Sequence, residues 1–356
     1  MWPIRIAVVG AGAFGRNHLR VYRELETAHP ELIQLTGLVD ENAATRDEAA
    51  ARYGIPAFSS VAGLLAAGLQ LNAASVCVPT SHHAAVAEQL LTAGLDVLIE
   101  KPFAASLAEA DHVLALASSL GRIVQIGHLE RFNPAVTAVA ERLNNPMFFE
   151  AHRLSIFTPR SLDVDVVLDL MIHDLDVVLS LTNSPVREVR AVGLAVLSRK
   201  VDIANVRVEF DSGCVANFTA SRVSTEQVRK VRLFQPHQYL SLDFARQELL
   251  SIDVDPAAAA AFLSRSTPAP ATAGGPGATL QHPSAGLNLQ KFDLTRAEPL
   301  RLELEDFLRA IRTRTAPRVT GEAGRAALSL ALEINREIKE HTQRAGLSVV
   351  SSPLSV

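Results

Sequence analysis

Cysteine is scarce in this 356-residue chain. Cys77 and Cys214 stand far apart without companions, which excludes a disulfide framework and a cysteine-built zinc cluster. Charge of one sign is scarce too: the net charge is −4 and no block of like charge occurs, so no nucleic acid or anionic membrane is expected as partner. A small-molecule partner is expected instead. No segment approaches ~20 uninterrupted apolar residues; the longest candidate, VVLDLMIHDLDVVLSL, is broken by Asp169, His173, Asp174 and Asp176. The opening MWPIRIAVVG lacks the long apolar region and small-residue cleavage site of a signal peptide. These absences together lead us to expect a soluble, cytoplasmic protein.

What the chain has is apolar content, 48% of residues, enough for two domains at this length. Up to about residue 130, short runs apolar on both faces (4–9, 35–40, 73–79, 95–100 and 122–127) alternate with helical stretches such as RNHLRVYREL and HHAAVAEQLLTAG. Doubly buried strands separated by helices predict a parallel, doubly wound sheet. From about 150 the runs lengthen and alternate (186–197, 201–210, 213–223, 230–244), as antiparallel strands do, after one helix at 163–182. The Ala/Pro/Gly-rich stretch 256–286 reads as a mobile insertion. Two helices, 298–314 and 320–344, close the chain.

Gly10-Ala11-Gly12-Ala13-Phe14-Gly15 fits G-x-G-x-x-G between a strand and a helix. Glycine there allows a tight turn and brings backbone N–H groups to a pyrophosphate at the positive end of the helix. The next apolar run ends on Asp40, about 25 residues after Gly15, where an acid meets ribose hydroxyls and repels a 2′-phosphate; NAD is therefore the expected cofactor. Arg46 is placed to soften that preference. Pro79, Thr80 and one of His82 and His83 follow another strand and are expected at the cofactor, with His83 as the candidate and the other histidine free to cap the next helix.

LIEKP ends a further parallel strand, which should bring Glu100 and Lys101 to the same carboxyl edge. A lysine there can hold a reacting hydroxyl and steady negative charge on its oxygen, and Glu100 can tune it or touch the cofactor. Pro102 biases Lys101 away from helical geometry. Alone, the tripeptide would be a surface ion pair. With GAGAFG, VD at 39–40, PTSHH, EKP, GHLERFNPAV at 127–136, DLMIHD at 169–174, EPLRLELEDFL and RVTGEAG, nearly the whole chain resembles the Gfo/Idh/MocA oxidoreductase family. That resemblance implies an α/β fold: an N-terminal Rossmann dinucleotide-binding domain, set at 1–126, and a C-terminal α/β domain with an open, mostly antiparallel sheet, set at 127–345. The terminal helices could pack back on the Rossmann domain. The stretch 256–286 is longer and lower in complexity than the family pattern.

At about 100° per residue, Asp165, Asp169, His173 and Asp176 fall within roughly an 80° sector of an otherwise apolar helix. The stripe must face solvent or a wet cavity, and Asp169 is the nearest orienter for His173. The resemblance implies that Asp169 binds substrate and His173 is catalytic, with Lys101 as its companion; which of Lys101 and His173 takes the proton stays open. No second compact His/Cys cluster supports a metal. Arg131 suits a carboxylate or phosphate and Asn133 can donate and accept, so both are assigned to substrate. The string around them looks most like the branch acting on UDP-N-acetylhexosamines, implying NAD-dependent oxidation of UDP-N-acetylglucosamine at its 3-hydroxyl to a 3-keto sugar, in diamino-sugar routes to lipid A or surface glycans. A dehydrogenase for inositol, glucose or another free polyol is the alternative, and a non-catalytic nucleotide sensor a second. An open sheet with apolar residues on both faces suggests a homodimer or homotetramer.

Overall fold

The computed structural model describes residues 2–157, 164–264, 281–282 and 286–346, in two compact units. Of these, the first takes the residues up to 132 and 297–329, and the second those between 133 and 296 and from 330 on. The chain therefore leaves the Rossmann unit a few residues later than 126 and returns to it near the end.

In the first unit, strands β1 (Ile4–Val9), β2 (Ile33–Val39), β3 (Ala57–Phe58), β4 (Ala73–Val76), β5 (Asp96–Glu100) and β6 (Val124–Gly127) form one parallel sheet in the order β3-β2-β1-β4-β5-β6. Helices α1 (Ala13–Ala28), α2 (Ala43–Tyr53), α3 (Val61–Ala66), α4 (His83–Thr92) and α5 (Leu107–Leu120) connect them. Strands β4 and β5 are buried at every residue, as the apolar runs require of a sheet covered on both faces. The order reverses between β1 and β4, the place where such sheets open a crevice at their carboxyl edge. Ser60 and Ser106 cap α3 and α5 through their hydroxyls, and Gly54 and Gly121 end α2 and α5 in the left-handed conformation.

The second unit begins with α6 (Pro134–Ala140) and β7 (Phe148–Ile156), followed by a π-helical turn, Val167–Met171, and α7 (Ile172–Thr182). Then come β8 (Val186–Leu194), β9 (Ile203–Phe210), β10 (Val215–Ser224), β11 (Val228–Gln235), β12 (Gln238–Asp243), β13 (Glu248–Val254), α8 (Pro256–Leu263), β14 (Gln281–His282) and β15 (Leu287–Phe292). They make a nine-stranded sheet ordered β14-β15-β13-β12-β11-β7-β10-β9-β8, antiparallel except for the β7–β10 pair. The expected runs 201–210 and 213–223 contain β9 and most of β10, whereas 230–244 is a hairpin of two strands turned at His237, whose φ is +61°. Strands β7, β13 and β15 were not anticipated. Of the expected mobile stretch 256–286, residues 256–264, 281–282 and 286 are described; the remainder of that expectation lies outside the described residues.

One face of the open sheet is apolar across its strands and the other is mixed. Val206, Phe218, Ala151, Val231, Leu242 and Leu249 line up across β9, β10, β7, β11, β12 and β13, all buried. One residue along, the row is Asn205, Thr219, His152, Lys230, Asp243 and Glu248, with Asn205 bonding Thr219 at 2.9 Å. A period of two sends alternate residues to opposite faces, and this second face also carries Phe148, Phe234 and Tyr239, neighbouring rings whose centroids lie 5.5 and 5.0 Å apart.

Helix α9 (Pro299–Thr313) belongs to the first unit, where Leu300, Leu304, Phe307 and Ile311 join the core of β1, α1 and β2. Their spacing of four, three and four residues makes a single helical stripe. Arg20 pairs with Glu298 and Arg301 with Glu24 at 2.8 Å along its border. The last helix, α10, spans Gly321–Arg344. No helix among the described residues is long and apolar enough to cross a membrane.

Candidate active site

The turn after β1 is built by two glycines that cannot be replaced without movement and one that faces open space. A Cβ on Gly10, whose φ is +94°, would lie 2.6 Å from the Cys77 carbonyl oxygen, and one on Gly15 would lie 1.8 Å from that of Gly10. A Cβ on Gly12 would meet nothing within 4 Å. Gly12 also caps α1 without a side-chain bond to the first-turn N–H groups. Exposed Ala13 and Phe14 continue that turn. An open glycine backed by uncapped amides at a helix N-terminus suits an anion.

Gly10, Gly12, Asp40, Val78, Pro79 and His82 are among the residues lining a cavity of about 620 Å³ here. Asp40 accepts the Ala11 N–H at 2.7 Å with one carboxylate oxygen and the Asn42 N–H at 2.9 Å with the other, so it braces the turn it faces. Arg46 is drawn to Asp47, at 3.1 Å, and to the Asp40 carbonyl, at 3.5 Å. These residues fit a dinucleotide: glycines for close approach, amides for phosphate, a carboxylate for ribose. Asp40→Ala should weaken NAD binding roughly 10- to 100-fold, the worth of a charge-assisted hydrogen bond, and shrink the preference for NAD over NADP. Titrations with both nucleotides check this; equal affinity of the native protein for the two would contradict it.

Between the two histidines, the structure decides against the expected one. His83 is buried, with Nδ1 2.9 Å from the Pro102 carbonyl and Nε2 2.9 Å from that of Val78, so its ring clamps two strand ends together instead of meeting cofactor. Exposed His82 lines the cavity, and Thr80 is half-buried in the 3-10 turn Thr80–His82. Burial holds the His83 pKa below its ordinary value of about 6.5 against the pull of both carbonyls. The unfolded chain then takes up the proton first as pH falls. Stability from this group is whole above about pH 6.5 and is lost as pH drops toward the depressed folded value, with a slope of at most about 1.4 kcal/mol per pH unit. Urea midpoints measured from pH 7.5 to 5 should fall with pH, and less steeply in His83→Gln.

Glu100 likewise does not line that cavity. It is buried, its Oε1 is 2.8 Å from Nε2 of His18 on α1, and its Oε2 accepts the Lys101 N–H at 3.3 Å. His18 was missed in the sequence, although it stands three residues past Gly15 on the first turns of the nucleotide helix. Half-buried Lys101 follows β5 directly and is joined to Pro102 by a cis peptide bond. Arg131 is half-buried on the 3-10 turn Leu129–Phe132. Asn133, expected at substrate, is buried and caps α6: its Oδ1 accepts the Ala135 N–H at 3.1 Å and its Nδ2 donates to the Phe244 carbonyl at 3.0 Å.

In the second unit the expected polar stripe is rephased. Val167–Met171 is π-helical, and its wider turn advances each residue by less than the roughly 100° of an α-helix. Asp165 accepts the N–H groups of Val167 and Leu168, both at 3.0 Å, and bonds Asn335 at 3.1 Å; it starts the helix and does not orient His173. Asp176 is buried. Asp169, within the π turn, and His173, on the first turn of α7, are both half-buried. Asp174, outside the expected stripe, is held by Arg153 of β7 in a two-pronged buried pair at 2.9 and 2.8 Å.

Residues 4–128 match the Gfo/Idh/MocA oxidoreductase family in its NAD-binding Rossmann fold, and residues 135–234 match that family's C-terminal domain. UDP-N-acetylglucosamine 3-dehydrogenase of Acidithiobacillus ferrooxidans is 37% identical over 345 residues, 97% of this chain and 100% of that one. The chain belongs to the Gfo/Idh/MocA oxidoreductase family. A solved structure of the Acidithiobacillus ferrooxidans dehydrogenase superposes with a TM-score of 0.84 at 36% identity, covering 97% of this chain and 100% of that one. Inositol 2-dehydrogenase of Leifsonia xyli is 31% identical over 52% of this chain and 56% of its own. As a member of the family the protein is an oxidoreductase with an NAD-binding Rossmann domain.

Proposed function

We propose that the protein oxidises the 3-hydroxyl of UDP-N-acetylglucosamine to the 3-keto sugar with NAD. The observation that carries this reading is 37% identity, spread over 97% of the chain, to a UDP-N-acetylglucosamine 3-dehydrogenase. Oxidation of a secondary alcohol removes a hydroxyl proton and a hydride from one carbon; bound NAD supplies the hydride acceptor, leaving the proton to the protein. Gly10, Gly12, Ala13, Phe14, Asp40 and Pro79 are proposed to hold the dinucleotide.

Lys101 is proposed to hold the reacting hydroxyl and steady its developing negative charge, and His173, supported by Asp169, to accept the proton. Arg131 is proposed for the substrate's anionic portion, being suited to two-pronged phosphate contacts. The keto product invites transamination, as a route to diamino sugars of lipid A or surface glycans requires. Appearance of NADH is followed with UDP-N-acetylglucosamine, its uronate, myo-inositol and glucose. Turnover should be fastest with the first, and silence with every nucleotide sugar would reject the assignment.

A further inference from the structure

His18 spends a buried side chain on one polar contact. Its ring is fully buried, Nε2 lies 2.8 Å from Oε1 of Glu100, and Nδ1 has no hydrogen-bond partner among the described residues. A buried polar ring is costly unless its contact matters. The ring is fixed by its neighbours one turn away on α1: Phe14 at 5.9 Å and Tyr22 edge-on at 6.2 Å between centroids. Tyr22 is in turn bonded to Ser75 of β4 at 2.8 Å.

The other end of the contact is equally confined. Glu100 faces Gly127 across the β5–β6 pairing, and a Cβ on Gly127 would lie 2.9 Å from the carboxyl carbon and both its oxygens. The carboxylate is thus enclosed by His18, the Lys101 N–H and the bare backbone of Gly127. A carboxylate taken out of water must have such partners. Phe14 belongs to the G-x-G-x-x-G turn, so one line of contacts runs from the nucleotide turn through His18 and Glu100 to the backbone of Lys101.

We infer that His18 is a positioning residue for the oxidation: by holding Glu100 it fixes the strand end from which Lys101 reaches the reacting hydroxyl. The inference rests on the proposed role of Lys101. A shift of about 1 Å in a positioned group costs on the order of 10²-fold in rate, and the effect belongs to kcat because the NAD cradle is made by other residues.

The test compares the native protein with His18→Leu, His18→Gln, Gly127→Ala and Lys101→Met, measuring NADH formation from UDP-N-acetylglucosamine and NADH binding by its fluorescence. His18→Leu should lose about 10²-fold in kcat with NADH affinity little changed. His18→Gln, which retains an N–H donor for Glu100, should recover most of the loss. Gly127→Ala, which crowds the same carboxylate from the opposite side, should repeat it and carries the test if His18→Leu does not fold. Normal kcat in a folded His18→Leu or in Gly127→Ala would overturn the inference, as would equal losses in Leu and Gln. A loss confined to NADH affinity would also overturn it, making His18 part of the cradle. Full turnover in Lys101→Met would overturn the role of Lys101 and this inference with it; loss there with no effect at His18 would overturn this inference alone.

Discussion

Lys101→Met is expected to lower kcat by about 10² to 10⁴-fold, the usual contribution of a positioned proton-handling or charge-stabilising group, while NADH binding changes little. Methionine retains the apolar stem and removes only the ammonium. Strand β5 is paired on both sides, to β4 and β6, so the departure point of the side chain is fixed by a buried sheet and should survive the substitution. The cavity that suits the dinucleotide is lined by residues of other segments, which separates the two readouts. His173→Ala is expected to fall in the same range. The order of the two losses at different pH values distinguishes the proton acceptor from the group that holds the oxygen. Normal turnover in both variants would remove the catalytic assignment, leaving the cofactor half of the protein untouched.

The cofactor half was legible because its determinants are local. Gly10, Gly12 and Gly15 lie within six residues of one turn, and the packing that demands Gly10 and Gly15, against Cys77 and against Gly10 itself, is the same wherever this turn precedes a helix, while Gly12 leaves the space a ligand would fill. Asp40 is read from spacing along one strand and helix, and it does face the cavity. Sequence cannot choose between adjacent His82 and His83, because that depends on which of them the start of α4 turns inward. The partnership of His18 with Glu100 joins residues 82 apart, with no periodicity to announce it. The π turn at Val167–Met171 changes the angular step and rephases the stripe, while Asp165 starts the helix and Asp174, which lay outside the stripe, pairs with Arg153. Asn133 was read for its hydrogen-bonding versatility, which the fold spends on starting α6.

Asp174→Ala is expected to cost about 3–5 kcal/mol of stability, the usual penalty for taking one partner from a buried ion pair. That would be a large share of the 5–15 kcal/mol a domain commonly has. Both side chains are almost wholly buried, and both carboxylate oxygens receive guanidinium N–H groups, so the variant leaves a buried cation without the carboxylate it lies against. The same reasoning predicts rescue. Arg153 also lies over the Phe244 ring at 5.3 Å, a contact that methionine can keep through its thioether, so Arg153→Met with Asp174→Leu should recover much of the loss. Urea midpoints of the single and double variants measure this. His173 immediately precedes Asp174 on the first turn of α7, so the pair that secures this helix to β7 also sets where the histidine stands. A rescued double variant with native stability should therefore turn over close to the native rate, whereas Asp174→Ala should lose rate even below its unfolding temperature.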